Sequence, residues 1–515
     1  MKNQPPSREY PFFGFHNYKN EITMKKLQLL PLLMLLSTFS TFAQQCNCSE
    51  SFDWMVNTFK TNDAGFQFVI DKKGIDEYTK HTNFYREKAV NAASVNDCLI
   101  AMNNWLYFFR KLHIGAYYKP FINHNTQPIA LSEQSKDSIR TLYRNEETVD
   151  LTEVQVRELL KKREGKLSPI EGIWNSNNYS IGIISKPGTV NQFVAIIIKA
   201  DGIYWIPKQK KAEFTMNKDS TYSMVYGMRD HSKINEQARL VGNSGNFLLM
   251  INSLWTKVYP EASLTQKDEL FLKLRTATSP FIERLSEETL YLRIPSFQVS
   301  QKGKIDSLLL SRDTLIRSTP NLIIDIRNGT GGSSYSYFKL IPYFYTQPIR
   351  SVGMQFYATE LNARAYEKYA TDYSDTSAIN YCLRIASKMR QNLGSFFSLE
   401  RVSIDSSYTS SPLPVKVAII CNQYNGSTDE AFLFDAKQSN KVKVFGRPTA
   451  GALDFSNVNP VDSPDGLFQL IMSMTASYRI PNFPIDGIGI QPDFFIDDTI
   501  PEEDWIDYVL STIEY

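Results

Sequence analysis

Residues 415–451 read VKVAIICNQYNGSTDEAFLFDAKQSNKVKVFGRPTAG. Val415 to Cys421 is a short, β-branched apolar run, Asn425-Gly426 breaks it, and Ser427 opens a segment with Phe432, Leu433 and Ala436 at helical spacing. Val442 to Phe445 is a second apolar strand. Two strands of buried type joined by a helix predict a βαβ unit, whose parallel strands bring both carboxyl ends, and any ligand, to one side. Ser427 falls at such an end and admits two readings. Ser427-Thr428-Asp429-Glu430 has the S-x-x-E form of a capping box, in which the hydroxyl accepts from the Glu430 amide and the Glu430 carboxylate bonds back. A serine at a helix N-terminus also has the next amide already aimed where a negative oxygen would form, which suits a nucleophile.

Working outward, the α/β pattern extends over 263–515. Thr289 to Phe297 reads as a strand, Lys304 to Ser311 as a helix, and Leu322 to Ile326 as a buried strand running into Arg327-Asn328-Gly329-Thr330-Gly331-Gly332. Glycines there permit a tight turn against something bound, but the Gly-Lys-Ser/Thr ending of a phosphate loop is missing. Residues 355–400 read as helical, Leu467 to Tyr478 as a strand, and Pro484 to Asp493 as the closing segment.

Toward the N-terminus the composition changes. Residues 168–262 form a β-rich module, a small barrel or sandwich, with alternating strands such as Tyr179 to Ser185 and Gln192 to Lys199 between Gly, Asn and Asp turns. Its opening Gly172-Ile173-Trp174 resembles the start of lipocalin-like barrels. Residues 126–167 are a polar connector with a helical 151–163, and 44–125 are an N-terminal helical domain in which Phe52, Met55 and Phe59, then Cys98, Met102, Trp105 and Phe109, recur at three and four. That domain ends in FFRKLHIG, residues 108–115, where His113 is either a packed helix-end histidine or a functional one.

Residues 24–43, MKKLQLLPLLMLLSTFSTFA, have the charged start, apolar centre and small-residue end of a secretory signal, so 1–43 is read as a leader with translation beginning at Met24. The expected location is therefore periplasmic, cell-envelope or extracellular, with no transmembrane segment in the rest of the chain. In an oxidising compartment Cys98 is expected to bridge to Cys46 or Cys48, and Cys421 to stay a buried thiol. No second His/Cys pair accompanies Cys46-x-Cys48, so no metal is expected. With 56 basic and 54 acidic residues interspersed, nothing points to a nucleic-acid partner.

Four segments in order resemble the superfamily of tail-specific (C-terminal processing) and tricorn-like serine peptidases: YLRIPSF at 291–297; Asp325-Ile-Arg-Asn-Gly-Thr-Gly-Gly332, similar to D-L-R-x-N-x-G-G; Asn422 to Glu430 with Gly446-Arg-Pro-Thr-Ala-Gly451, similar to N-x-x-S-x-S-x-E and G-x-x-T-x-G; and Asp486-Gly-Ile-Gly-Ile-Gln-Pro-Asp493, similar to E-G-x-G-V-x-P-D. The segment ending at His113 is similar to the family's D-G-H segment. The resemblance implies an α/β, crotonase-like (ClpP-like) spiral of ββα units over 263–515. No Gly-Leu-Gly-Phe loop of a PDZ domain is present, and the β-rich module occupies that place.

The resemblance further implies a secreted serine-type endopeptidase with a peptide or protein substrate and no cofactor. Ser427 matches the nucleophile, and the amides of Thr428 and of Gly331 or Gly332 match the oxyanion hole. The lysine that follows T-x-G in the tail-specific branch is Ala452 here, and Lys437, Lys441 and Lys443 sit on the helix end and the next strand. His113 is then the expected general base, with Asp486 orienting it and Glu430 as a second supporting group. Three departures touch these loops: Lys111-Leu112 precedes the histidine, Gly329-Thr330 alters the second motif, and Asp429 replaces the second serine of the third. They leave room for a rival reading, a catalytically impaired envelope protein that binds peptide, glycan or lipid.

Overall fold

The computed structural model describes residues 47–119 and 133–515, less 177, 178, 230, 243, 244, 252 and 262. The expected leader, the start at Met24 and Cys46 lie outside the described residues. The chain divides into two units, one drawn from Met1–Asn125 and Thr278–Tyr515, the other from Thr126–Ala277. The helical segment expected over 44–125 thus shares a unit with the α/β part. The helix Gln266–Thr276, expected with the core, goes with the β-rich module.

In the first unit, α1 (Cys48–Asn62), α2 (Phe66–Lys73), α3 (Ile75–Val90) and α4 (Val95–Leu106) bury the apolar positions seen in the sequence. Phe52, Met55, Phe59, Met102 and Trp105 are completely enclosed, each stabilising the fold by about 1.5–3 kcal/mol relative to exposure. Of the two disulfide partners left open for Cys98, the structure shows Cys48, joining α1 to α4. β1 (Gly115–Tyr118) follows.

The second unit is a closed eight-stranded barrel, β2 to β9, formed in order by Gly172–Ser176, Tyr179–Ser185, Gln192–Lys199, Lys210–Met216, Tyr222–Gly227, Lys233–Val241, Phe247–Met250 and Ser253–Tyr259. Every pairing is antiparallel between sequence neighbours, and β2 closes on β9. Of the barrel and sandwich alternatives, the barrel is what forms. Closure gives each strand a partner on both sides, and Trp174, Phe193, Phe214 and Trp255 pack together in its apolar cluster.

The first unit continues with β10 (Phe281–Arg284), β11 (Thr289–Arg293), β12 (Asn321–Asp325), β13 (Ile349–Val352), β14 (Met354–Tyr357), β15 (Phe396–Ser398), β16 (Val402–Asp405), β17 (Lys416–Cys421), β18 (Val442–Gly446), β19 (Phe455–Asp462), β20 (Phe468–Ser477) and β21 (Phe494–Phe495). One sheet has the order β10-β11-β12-β17-β18-β21 and is parallel from β11 onward. β17, the strand of the 415–451 stretch, lies at its centre and is buried from Val417 to Cys421, the pattern of a strand covered on both faces. A second sheet, β1-β20-β14-β15 with β19 beside β20, carries the N-terminal segment, because Gly115 to Tyr118 pair with Ile471 to Phe468. The apolar side chains of Phe468, Leu470 and Met472 join the cluster of the N-terminal helices.

The sequence reading ran strand through 294–297, where β11 stops at Arg293, and gave no strand at 455–462, where β19 forms. The helical reading of 355–400 holds for Glu360–Ala370 and Thr376–Gln391, while its two ends are the strands β14 and β15. No helix among the described residues is long and apolar enough to cross a membrane.

Candidate active site

Parallel pairing decides what meets at the carboxyl end of the central sheet. Asp325 pairs with Ile420 and Cys421 with Gly446, so the loops leaving β12, β17 and β18 emerge side by side. These loops hold the second and third motifs. The first motif is locked to the second through buried charge: Asp325 Oδ2 accepts from Arg327 Nη2 at 2.7 Å and from the Tyr291 hydroxyl at 2.9 Å, and Arg293 donates to the carbonyls of Asp325 at 2.9 Å and Arg327 at 2.8 Å. Burial pushes the Asp325 carboxyl up, but the charges of Arg327 and Arg293 outweigh it and leave the group below its ordinary value. Asn425 donates to the Ile326 carbonyl at 2.6 Å, and Asn422 exchanges bonds with Asn328, tying the second motif to the third.

Ser427 sits at the N-terminus of the helix Thr428–Ala436 with φ 60° and ψ −117°, a left-handed conformation that a non-glycine residue holds only under constraint from its surroundings. The capping box is half made. Glu430 Oε2 accepts from the Ser427 amide at 3.1 Å, but the Glu430 amide goes to the Ser427 carbonyl at 2.9 Å, and Ser427 Oγ, although buried, has no hydrogen-bond partner among the described residues. The hydroxyl is therefore not committed to the cap. As the first residue of the helix, Thr428 has no intrahelical carbonyl for its amide.

Glu430 is the clamp of this loop. Its Oε1 accepts from Thr449 Oγ1 at 2.6 Å and from the Gly451 amide at 2.7 Å, and its Oε2 from the Ala452 amide at 2.8 Å as well as from Ser427. Burial raises its pKa, against which these bonds work. Ala452 thus contributes an amide where the resembled branch has a lysine. Lys437 is engaged by Asp493 at 2.5 Å, and Lys441 donates to the Ser411 carbonyl.

Of the predicted oxyanion donors, Gly331 lies against Ser427: a Cβ on Gly331 would sit 2.8 Å from Ser427 Cβ and 3.1 Å from its Oγ, at φ 85°. Its amide points to Asp429 Oδ2 at 3.3 Å. Gly332, at φ 144°, has no room for a side chain because Phe297 backbone carbon would lie 2.2 Å away, and its carbonyl accepts from Thr428 Oγ1 at 2.8 Å. Asp429 is buried, accepts from Asn425 Nδ2 at 2.8 Å, and its Oδ1 has no partner among the described residues. Burial first, with the nearby Glu430 charge, pushes its carboxyl up to about 7 against the Asn425 and Gly331 bonds.

His113 occupies a left-handed turn, φ 55°, after α4, with its carbonyl held by Ser473 Oγ at 3.2 Å and Arg110 Nη2 at 3.3 Å. Arg110 is itself fixed by Asp63, which also accepts the Ser473 amide. Nδ1 of His113 lies 2.7 Å from the Phe455 carbonyl. A carbonyl only accepts, so Nδ1 carries the proton and Nε2 is the lone-pair nitrogen. Burial, aided by the Arg110 charge, lowers its pKa to about 4, and the ring is neutral at pH 7.

Asp486, expected to orient the histidine, reaches it one step removed. Its Oδ1 accepts from the Leu453 and Asp454 amides at 2.8 and 2.7 Å, and its Oδ2 from the Phe455 amide at 3.4 Å, so it fixes the segment whose carbonyl holds Nδ1. Burial and the charge of Asp454 raise its carboxyl to about 6. Asp454 reciprocates by accepting the amides of Ile485 and Asp486 at 2.6 and 2.8 Å. A hydrogen-bonded path therefore runs from the Ser427 amide through Glu430 to Ala452, and from Leu453–Phe455 to His113. Sequence reasoning gave no role to Thr449, seen only as the threonine of the G-x-x-T-x-G segment, to Asn425, seen only as a chain breaker, to Asp454, or to the Phe455 carbonyl, which has no sequence signal.

Residues 288–496 match the model of peptidase family S41, the segment that carries the four motifs. A comparison with curated proteins finds no match. Among solved structures, mature CPAF complexed with lactacystin is 10% identical, over 90% of this chain and 97% of that one, with TM-score 0.46. The tricorn protease is 11% identical, over 91% and 36%, with TM-score 0.39, and the photosystem II D1 C-terminal processing protease 11%, over 90% and 97%, with TM-score 0.34. At such scores these likenesses carry no argument, and the family match is confined to 288–496.

Proposed function

We propose that this chain is a serine-type endopeptidase that cleaves peptide bonds through an acyl-enzyme on Ser427, with His113 as general base. The observation that carries the reading is the buried Ser427 hydroxyl, without a partner among the described residues, on a constrained turn at a helix N-terminus and packed against Gly331. Nε2 of neutral His113 takes the Oγ proton as Oγ bonds to the substrate carbonyl carbon, and the Thr428 amide with Gly331 or Gly332 receives the oxyanion. Collapse breaks the C–N bond and the proton passes from Nε2 to the leaving amine. Water, deprotonated by the same nitrogen, then releases the acid and restores Ser427. Asp486 acts here as the group that fixes the Phe455 carbonyl against Nδ1.

A cavity of about 1060 Å³ adjoins Thr428 and is lined by Val352, Met354, Phe434, Phe483 and Ile488 among others, which suits apolar side chains of a peptide. The motif order supports a crotonase-like spiral for the core, with the N-terminal helices as the domain that supplies His113. The signal-like stretch 24–43 supports export to the periplasm, envelope or exterior. Fluorophosphonate labelling of the folded full chain tests the chemistry. Label is expected on Ser427, absent in Ser427→Ala and slowed at least ~100-fold in His113→Ala; folded protein that shows no Ser427-dependent label refutes the reading.

A further inference from the structure

Resting on that reading, we propose that Asp429 is a positioning residue whose charge decides whether the Gly331 amide is available to the oxyanion. The Gly331 N–H, beside Ser427 Oγ, is aimed at Asp429 Oδ2 rather than at an open position. An ionised carboxylate holds that amide by a charge-assisted bond and sets a negative charge next to the place where the oxyanion forms. A neutral carboxyl holds it about half as strongly and removes the repulsion.

The surroundings permit the neutral state. Oδ1 is buried and has no donor among the described residues, and Oδ2 has only an amide and the Asn425 side chain. Gly329 lies close against the carboxylate on that side, since a Cβ there would sit 2.5 Å from Oδ2. The charged and titratable groups facing Asp429 are Glu430 on its own helix, which disfavours ionisation, Arg293 at the end of β11, which favours it, and Cys421 at the end of β17, whose thiol burial keeps protonated. The balance leaves the carboxyl titrating at about 7. With His113 neutral above about 4, the active window is acidic, between about 4 and about 7.

The test is the pH dependence of fluorophosphonate labelling on the full chain, for wild type, Asp429→Asn and Asp429→Ser, with Ser427→Ala as the blank and thermal melting as the check on folding. Wild-type labelling is expected to fall about tenfold per pH unit above neutrality, while both Asp429 variants keep their rate to pH 9 and share the wild-type acidic limb. A merely structural role would scale the rate without moving the alkaline limb. Ser427-dependent labelling with the same alkaline limb in wild type and variants overturns the proposal and leaves the peptidase reading standing. Absence of Ser427-dependent labelling at every pH overturns both.

Discussion

Asp325 and Asp429 are two carboxylates at the same end of one sheet, both fully buried, and they end in opposite states. Asp325 is met by two guanidinium groups and a tyrosine hydroxyl and is held ionised. Asp429 is met by one amide and one asparagine, has one oxygen without a partner among the described residues, and is pushed up to about 7. Burial alone therefore does not set the charge in this site; the presence of a buried cation does. The satisfied group is architecture, joining the first two motifs. The unsatisfied one lies among the groups assigned to chemistry, beside a serine hydroxyl that likewise has no partner among the described residues.

The signs of the two contributions to stability differ accordingly. Asp325 has a folded pKa below its ordinary 3.8, so it stabilises above that value and the gain is lost as pH falls through the lowered one. Asp429 has a folded pKa above 3.8, so its cost grows as pH rises from 3.8 to about 7 and is constant beyond.

Asp325→Ala breaks the contrast most severely, leaving Arg327 and Arg293 buried without a carboxylate. The expected loss is about 3–5 kcal/mol in denaturant unfolding at pH 7. Glu430→Gln comes next, because the carboxylate accepts four donors and an amide group would turn its own N–H onto two of them. A loss of about 2–3 kcal/mol is expected, with slowed Ser427 labelling as the 449–452 loop loosens. Asp429→Asn should act in the other direction, gaining on the order of 1–3 kcal/mol at pH 8 and nothing at pH 3.5, read from melting curves at the two pH values. Thr449→Val, which removes bonds to Glu430 and to the Ile490 amide, should cost the least, about 1–2 kcal/mol, in the same melting assay.

Much of the scaffold was legible because its signals are periodic or local. The runs Leu322–Ile324 in β12 and Val417–Cys421 in β17 are apolar throughout, as strands covered on both faces must be, while the exposed Lys443 interrupts β18. The alternating 168–262 module had to close or stack, although alternation alone does not distinguish the two outcomes. β19 was not legible, since Phe455 to Asp462 contains Asn, Pro and Asp and is a strand only because β20 supplies its partner. At the site, residue identities were legible and their partners were not. Asp486 reads as a candidate partner of histidine, yet the bond to His113 Nδ1 comes from a main-chain carbonyl that Asp486 fixes from behind. Glu430 reads as a cap, and most of its bonds go instead to a loop about twenty residues away, which no local pattern encodes.

The central claim is that Ser427 and His113 act on one carbonyl. A crystal structure of the full chain after fluorophosphonate treatment tests it most directly. The account predicts phosphorus bonded to Ser427 Oγ, the phosphonyl oxygen within hydrogen-bond distance of the Thr428 amide and of Gly331 or Gly332, and Nε2 of His113 at about 3 Å from Oγ. An unmodified Ser427, or an adduct whose His113 ring lies beyond reach of Oγ, would contradict it.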